Sequence, residues 1–312
     1  MRSQAIVLEE PLKLSLRALD LVDPTSEDVI VDIAFSGIST GTEKLLWSGR
    51  MPSFPGMGYP LVPGYESIGT IVEAGRDSGR RVGDTVFVPG ANCYREARGL
   101  FGGAASRVVI AGRKAVPIAA DLGNRAILLA LAATAQHAVS LDPARHPELI
   151  VGHGVLGRLI ARIVVAQGGK PVVWETNSAR QSGAEGYAVT HPDQDDRRDY
   201  ARICDVSGDA AILDSLVMRL ARGGEVVLAG FYDQRLSFAF PPAFMREAVI
   251  RAAAEWKPQD LAAVEALVAD RRLSLDGLIT HTHTPDRFED AYTTAFTDPA
   301  CLKMVLDWRH AA

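Results

Sequence analysis

At 312 residues and 47% hydrophobic composition, the chain is long enough for two domains, each with its own core. A net charge of -5 spread without long runs of one sign leaves no basic face for nucleic acid, so a small-molecule partner is expected. The opening MRSQAIVLEEPLKL lacks a signal-type apolar segment, and no run approaches the roughly 18 to 20 apolar residues of a membrane span, so a cytoplasmic protein without an integral membrane segment is expected.

In chain order, the first 120 residues alternate short β-type runs such as DVIVDIAF and GDTVFVPG with dense glycine and proline punctuation, as in GRMPSFPGMGYPLVPGYE. This texture predicts a β-rich domain with long loops. Near Ala126 the pattern changes to RAILLALAATAQHAVSL, with small and apolar residues at helical spacing. The runs ELIVGHG, KPVVWE, YAVTH, RICDVSG, GEVVLAGF and EAVIRAAAEW follow, separated by helix-compatible segments in the rhythm of a parallel sheet with crossover helices. The last part reads as a helix, a short strand and another helix. DQDDRRDY reads as a solvated charged loop. The three cysteines, Cys93, Cys204 and Cys301, are far apart and form no C-x-x-C pair, which argues against disulfides and a cysteine-built zinc lobe.

Gly152, Gly154 and Gly157 follow the apolar run ELIV and open a helical segment, which makes a G-x-G-x-x-G dinucleotide fingerprint. The first glycine permits the tight turn, the second lets backbone approach a pyrophosphate, and the third lets helix and strand pack closely. Free amides at the start of the helix, around His153, Val155 and Leu156, would face the phosphates. Glu175 ends the next strand, where a carboxylate can bind the ribose hydroxyls and repel a 2'-phosphate. NAD is therefore expected over NADP, although Arg180 lies close in sequence.

The runs VDIAFSGISTGTEKLLWSG, PLVPGYESIGTIVEAG, RVGDTVFV and TAQHAV occur in an order that resembles the medium-chain alcohol dehydrogenase superfamily over essentially the whole chain. The resemblance implies an α/β protein with a GroES-like β-barrel domain over 1–120, a Rossmann doubly wound parallel-sheet domain over 121–265, and a return to the first domain over 266–312. It also implies a homodimer, and it adds Thr134 to the cofactor residues. Where zinc-dependent members carry a cysteine and a histidine, this chain has Ser39 or Thr40 and Tyr65, and only Glu66 survives. Neither substitute is a good zinc ligand, so no bound metal is expected. The rival is a rearranged site drawing on Glu43, Glu66, His137 or His153.

SGISTGTE, PGYESIGTIVEAG and the THTHTPDRFEDAY tail are similar to the bacteriochlorophyll-synthesis branch of that superfamily. This implies NAD-dependent oxidation of the 3-(1-hydroxyethyl) side chain of a bacteriochlorophyllide to 3-acetyl. The loop residues Trp47, Met51, Phe54, Met57 and Tyr59 offer an apolar face for such a flat macrocycle, or pack the loop onto the barrel. Without a metal, hydroxyls must handle the proton. Thr42 stands where the superfamily has its relay hydroxyl. Tyr65 could act as base if a neighbouring cation or the nicotinamide charge lowered its pKa, with Ser39, Glu43 and Glu66 placed to orient it. His137 and His153 are alternative bases, with His153 also readable as a solvent-facing spacer. His281 and His283 share one face of an extended segment and could touch substrate or simply lie on the surface. Two other functions remain open: a zinc-free NADPH-dependent quinone or enone reductase, and a non-catalytic dinucleotide-binding protein.

Overall fold

The computed structural model describes residues 1–310. The chain divides into two compact units, Met1–Ala130 with Leu278–Ala312, and Leu131–Gly277. The boundaries expected from sequence fell after residues 120 and 265.

Unit 1 is built on the strand Asp28–Ile38, whose DVIVDIAFSGI run buries most of its side chains. One edge pairs antiparallel with Ser67–Ala74; the other is shared by Arg107–Ala111 and Met304–Asp307. The seven-stranded sheet continues through Thr85–Val88 to Val116–Pro117 at one end, and through Met304–Asp307 to His281–His283 at the other. A hairpin of Arg2–Glu10 and Lys13–Asp20 is tied to the loops by backbone bonds, among them Leu8 N to Leu61 O at 2.8 Å. The core runs from Ala5, Val31 and Ile71 to Tyr292, Met304 and Trp308, so residues from both ends of the chain close it. Alternating β-branched and aliphatic side chains fit such a half-buried pleated surface. A satellite cluster of Leu8, Leu45, Leu46, Met51 and Leu61 anchors the long loop after the helix Thr42–Trp47.

Unit 2 carries a six-stranded, wholly parallel sheet. Its spatial order is Ala188–Thr190, Val172–Trp174, Leu149–Val151, Tyr200–Asp205, Leu220–Leu228 and Val249–Ala252. Numbered by sequence within the unit, this is 3-2-1-4-5-6, the doubly wound arrangement in which dinucleotides bind where the order reverses. That reversal falls between Leu149–Val151 and Tyr200–Asp205, and the glycine loop lies at the carboxyl end of the first of these. Buried Arg202 donates to the carbonyls of Ala138 and Val139 and pairs with Glu225 at 3.0 Å, which satisfies the end of helix Leu129–Ser140.

The DQDDRRDY segment is not simply solvated. Asp195 is largely buried and accepts from Trp174 Nε1 and from the Tyr200 hydroxyl, both at 2.6 Å. Hydrophilic letters concealed a polar anchor, because its two donors lie outside the charged run or at its end. Among the described residues no helix is long and apolar enough to cross a membrane.

Candidate active site

In unit 1 the strand Asp28–Ile38 ends just before Ser39, and Gly41 leads into the short helix Thr42–Trp47. This brings Ser39, Thr42 and Glu43 beside the segment Gly64–Ser67. The Tyr65 hydroxyl donates to Ser39 Oγ at 2.7 Å and also meets the Thr42 side chain. Glu43 is buried; its Oε1 accepts from the Ser39 amide at 3.2 Å and its Oε2 from the Tyr292 hydroxyl at 3.2 Å. Glu66 is fully buried and ion-paired with Lys303, which is itself 1% exposed. The pair needs a glycine beside it, since a Cβ at Gly37 would lie 2.7 Å from Glu66 Oε2 and 3.1 Å from Lys303 Cε.

Burial pushes the Glu43 carboxyl up to about 8, helped by the nearby charge of Glu66. The Glu66 carboxyl is raised by burial too, against the pull of Lys303. The Tyr65 phenol is pushed far above its ordinary value, first by burial and then by the neighbouring Glu66 and Glu43 carboxylates. The chain's own groups around Tyr65 thus favour the neutral phenol. Lys303 is committed to Glu66, and Tyr65 is a hydrogen-bond donor.

The five residues expected from sequence, Ser39, Thr42, Glu43, Tyr65 and Glu66, thus form one cluster. Sequence reading missed Lys303 and Tyr292. The one available signal was a lysine within the apolar CLKMVLDW run, a placement that calls for a buried partner.

The loop residues divide. Met51 is buried in the satellite core; Trp47, Met57 and Tyr59 pack against it. Trp47 also meets Phe296 at a ring separation of 5.4 Å, and the Tyr59 hydroxyl donates to Leu46 O at 2.6 Å. Phe54 is exposed at the loop tip.

In unit 2 the glycine loop has the geometry of a phosphate cradle. Gly152 adopts φ +103°, which favours glycine. A Cβ at Gly157 would lie 1.9 Å from Gly152 O, so helix and loop close on each other there. A Cβ at Gly154 would meet nothing within 4 Å, so the helix Val155–Ala166 starts under open space. Amides at the start of that helix can bind anions. Val155 is buried and Leu156 half-buried in its first turn, and Thr134 is half-buried on Leu129–Ser140.

Glu175, directly after the strand Val172–Trp174, is largely buried. Its two oxygens accept from the amides of His153 at 3.0 Å and Asn177 at 2.8 Å. The carboxylate so held keeps lone pairs for a diol.

His153 is neither a solvent-facing spacer nor a free base. It is fully buried, with Nδ1 2.6 Å from Arg180 O and Nε2 2.8 Å from the Tyr187 hydroxyl. A carbonyl can only accept, so Nδ1 carries the proton. Burial lowers the imidazole to about 4, so the ring is neutral and Nε2 accepts from Tyr187. Arg158 reinforces the tether with bonds to the carbonyls of His153, Arg180, Ser182 and Gly183.

His137 is bound to Asp260 at 2.9 Å, an aspartate that also caps the helix Pro258–Ala269. His281 and His283 lie half-buried on the outermost strand of the unit 1 sheet, where His281 Nδ1 is 2.9 Å from Thr280 Oγ1. Among the described residues no three His, Cys, Asp or Glu side chains converge as a metal-ligand set.

Residues 25–120 match the alcohol dehydrogenase GroES-like domain. Two curated relatives, from Rhodobacter capsulatus and Cereibacter sphaeroides, are each 55% identical with full coverage of both chains; both are 2-desacetyl-2-hydroxyethyl bacteriochlorophyllide A dehydrogenases. Among solved structures, an Escherichia coli CFT073 alcohol dehydrogenase complexed with NADH superposes with a TM-score of 0.83. It shares 20% identity, with coverage of 98% of this chain and 99% of that one. Full-length identity at this level, together with the GroES-like match and the doubly wound sheet, establishes that the chain belongs to the bacteriochlorophyllide dehydrogenase family of the medium-chain alcohol dehydrogenase superfamily.

Proposed function

We propose that this protein oxidises the 1-hydroxyethyl side chain of a bacteriochlorophyllide to an acetyl group, with NAD as electron acceptor. That side chain is at position 3 of the macrocycle, position 2 in the older numbering used in the relatives' name. The observation that carries the reading is the full-length 55% identity to two dehydrogenases of that substrate.

Unit 2 has the features a dinucleotide needs: the open space over Gly154, the left-handed turn at Gly152 and the amide-held Glu175 carboxylate. A dinucleotide held there would supply the acceptor for the hydride that leaves the carbinol carbon. Glu175 supports NAD over NADP, because a second negative charge from a 2'-phosphate would be repelled.

The residues of unit 1 handle the alcohol proton. Thr42, Ser39 and Tyr65 present a set of hydroxyls to the substrate oxygen, and Tyr65 donates to Ser39 and so orients it. Glu43, held beside this set by the Ser39 amide, is the terminal acceptor in this reading, a carboxyl whose pKa near 8 suits that task. The Lys303–Glu66 pair keeps the second carboxylate neutralised beside it. Phe54, Met57, Tyr59 and Trp47 form the wall for the macrocycle. In this reading the protein acts in the cytoplasm, on a substrate met in solution or at a membrane surface.

The deciding experiment is a turnover assay of chelator-treated protein with NAD and 3-hydroxyethyl bacteriochlorophyllide a, following pigment and NADH absorbance together. Coupled change supports the reading. No change with NAD or NADP, with or without added zinc, refutes it.

Unit 2 also exposes Phe238, Phe240, Phe244 and Met245 beside Val249–Ala252, the terminal strand of its sheet. Apolar surface next to an open strand edge supports a homodimer formed through this face.

A further inference from the structure

We propose that Arg98 forms a carboxylate subsite in unit 1 that takes the free propionate of the macrocyclic substrate, so that the protein selects the free acid over its esters. The proposal rests on the substrate reading above.

The backbone of Arg98 is fixed to the substrate loop. Its amide donates to Pro60 O at 3.0 Å and its carbonyl accepts from Val62 N at 2.8 Å. The guanidinium lies against Gly58, where a Cβ would stand 2.8 Å from Cζ and 2.9 Å from Nε. Any other residue at position 58 would displace it. Its side-chain hydrogen bond, Nη1 to Met57 O at 3.5 Å, is at the outer limit of such bonds. Among the described residues no carboxylate pairs with it, whereas Arg95, three residues earlier, is held by Asp23 at 2.9 Å. The exposed guanidinium thus keeps nearly its whole fork of N–H donors, the geometry that matches a carboxylate at two points.

The position of this cation gives it a function. The segment that carries Arg98 continues to Phe101, whose ring meets that of Tyr65 at 5.0 Å in an edge-on contact. Tyr65 carries the hydroxyl bonded to Ser39. Met57 and Tyr59 pack on the same satellite cluster as Phe101, so the cation, this apolar surface and the hydroxyl cluster are linked by contacts within unit 1. A bacteriochlorophyllide is a flat apolar ring with one free propionate, and its hydroxyethyl group sits on the neighbouring pyrrole-type ring. Both polar ends of such a molecule can be read at once, the alcohol at Ser39 and Thr42 and the acid at Arg98.

The test compares the free acid with its propionate methyl ester as substrates of the wild-type protein, Arg98→Gln and Arg98→Lys. For an exposed pair of this kind the KM advantage of the acid is expected to be about three- to tenfold. It should collapse to about one in Arg98→Gln, return in part in Arg98→Lys, and shrink with added salt. Equal KM values for acid and ester in the wild type would overturn the proposal, as would an equal rise for both in Arg98→Gln, which indicates loop packing alone. If neither compound is turned over, the substrate reading fails. The subsite is then decided by titrating the same two pigments against the three proteins and reading their absorbance shifts.

Discussion

The Tyr292 hydroxyl donates to Glu43 Oε2 at 3.2 Å, joining residues 249 positions apart within unit 1. This bond and the Ser39 amide are the polar contacts that hold a carboxyl buried deeply enough to titrate near 8. Its folded pKa lies above its unfolded one, so the stabilising contribution is complete below about pH 4.5 and is lost as pH rises through 8. The wild-type melting temperature is expected to fall between pH 6 and pH 9. Glu43→Gln, which mimics the neutral acid, should flatten that slope and exceed the wild type by a few degrees at pH 9. Turnover runs the other way: kcat for oxidation should rise with pH toward a plateau above 8, and Glu43→Gln should be slow at every pH. A variant that keeps the wild-type pH-rate profile would remove Glu43 from the proton path.

The glycine loop separates a structural glycine from a ligand-facing one. Gly157→Ala places a methyl group 1.9 Å from Gly152 O and should cost about 1 to 3 kcal/mol of stability, read by denaturant unfolding. Gly154→Ala meets no protein atom within 4 Å, so its stability should match the wild type. Its affinity for NADH should nevertheless drop about tenfold or more, because the methyl group occupies the space where a pyrophosphate approaches. Wild-type NADH affinity in Gly154→Ala, measured by calorimetry, would mean that the dinucleotide binds elsewhere.

Glu175 both repels a 2'-phosphate and ties the amides of His153 and Asn177. Glu175→Gln keeps one acceptor oxygen while removing the charge, so the fold should survive and the NAD-to-NADP ratio of kcat/KM should fall about tenfold or more. If the ratio stays unchanged, coenzyme choice is set outside this carboxylate.

Much of this architecture is legible in the chain because local patterns encode it. The six apolar runs from ELIV to EAVIRA each became a strand of the parallel sheet, and the glycine fingerprint sits where strand order reverses. The polar partnerships were not legible. Lys303 reaches Glu66, and Tyr292 reaches Glu43, only because the end of the chain returns to the first sheet, and no local spacing records that meeting. His153 was misread for a related reason. Its neighbours in sequence are small glycines, whereas its ring partners, Arg180 and Tyr187, come from a loop beyond the next strand. Tyr65 lies in the cluster, but its protonation depends on burial and on the Glu66 and Glu43 carboxylates, which sequence alone could not place around it.

The apolar face of unit 2 yields the last prediction. Phe240 and Phe244 meet in a tilted contact at 5.6 Å and are each about two-thirds exposed, an unusual cost for a surface that stays wet. Among the described residues the adjoining strand Val249–Ala252 pairs on one side alone, with Leu220–Leu228, and leaves its other edge open. A second copy related by a two-fold axis would bring the same aromatic surface and the same open edge, and the Arg222–Glu247 pair at 3.1 Å offers one charge of each sign at the rim. Light scattering coupled to gel filtration should therefore give twice the chain mass of 33.5 kDa for the wild type and the single mass for Phe244→Asp. A wild type that runs as a monomer at micromolar concentration would assign this surface to some other partner.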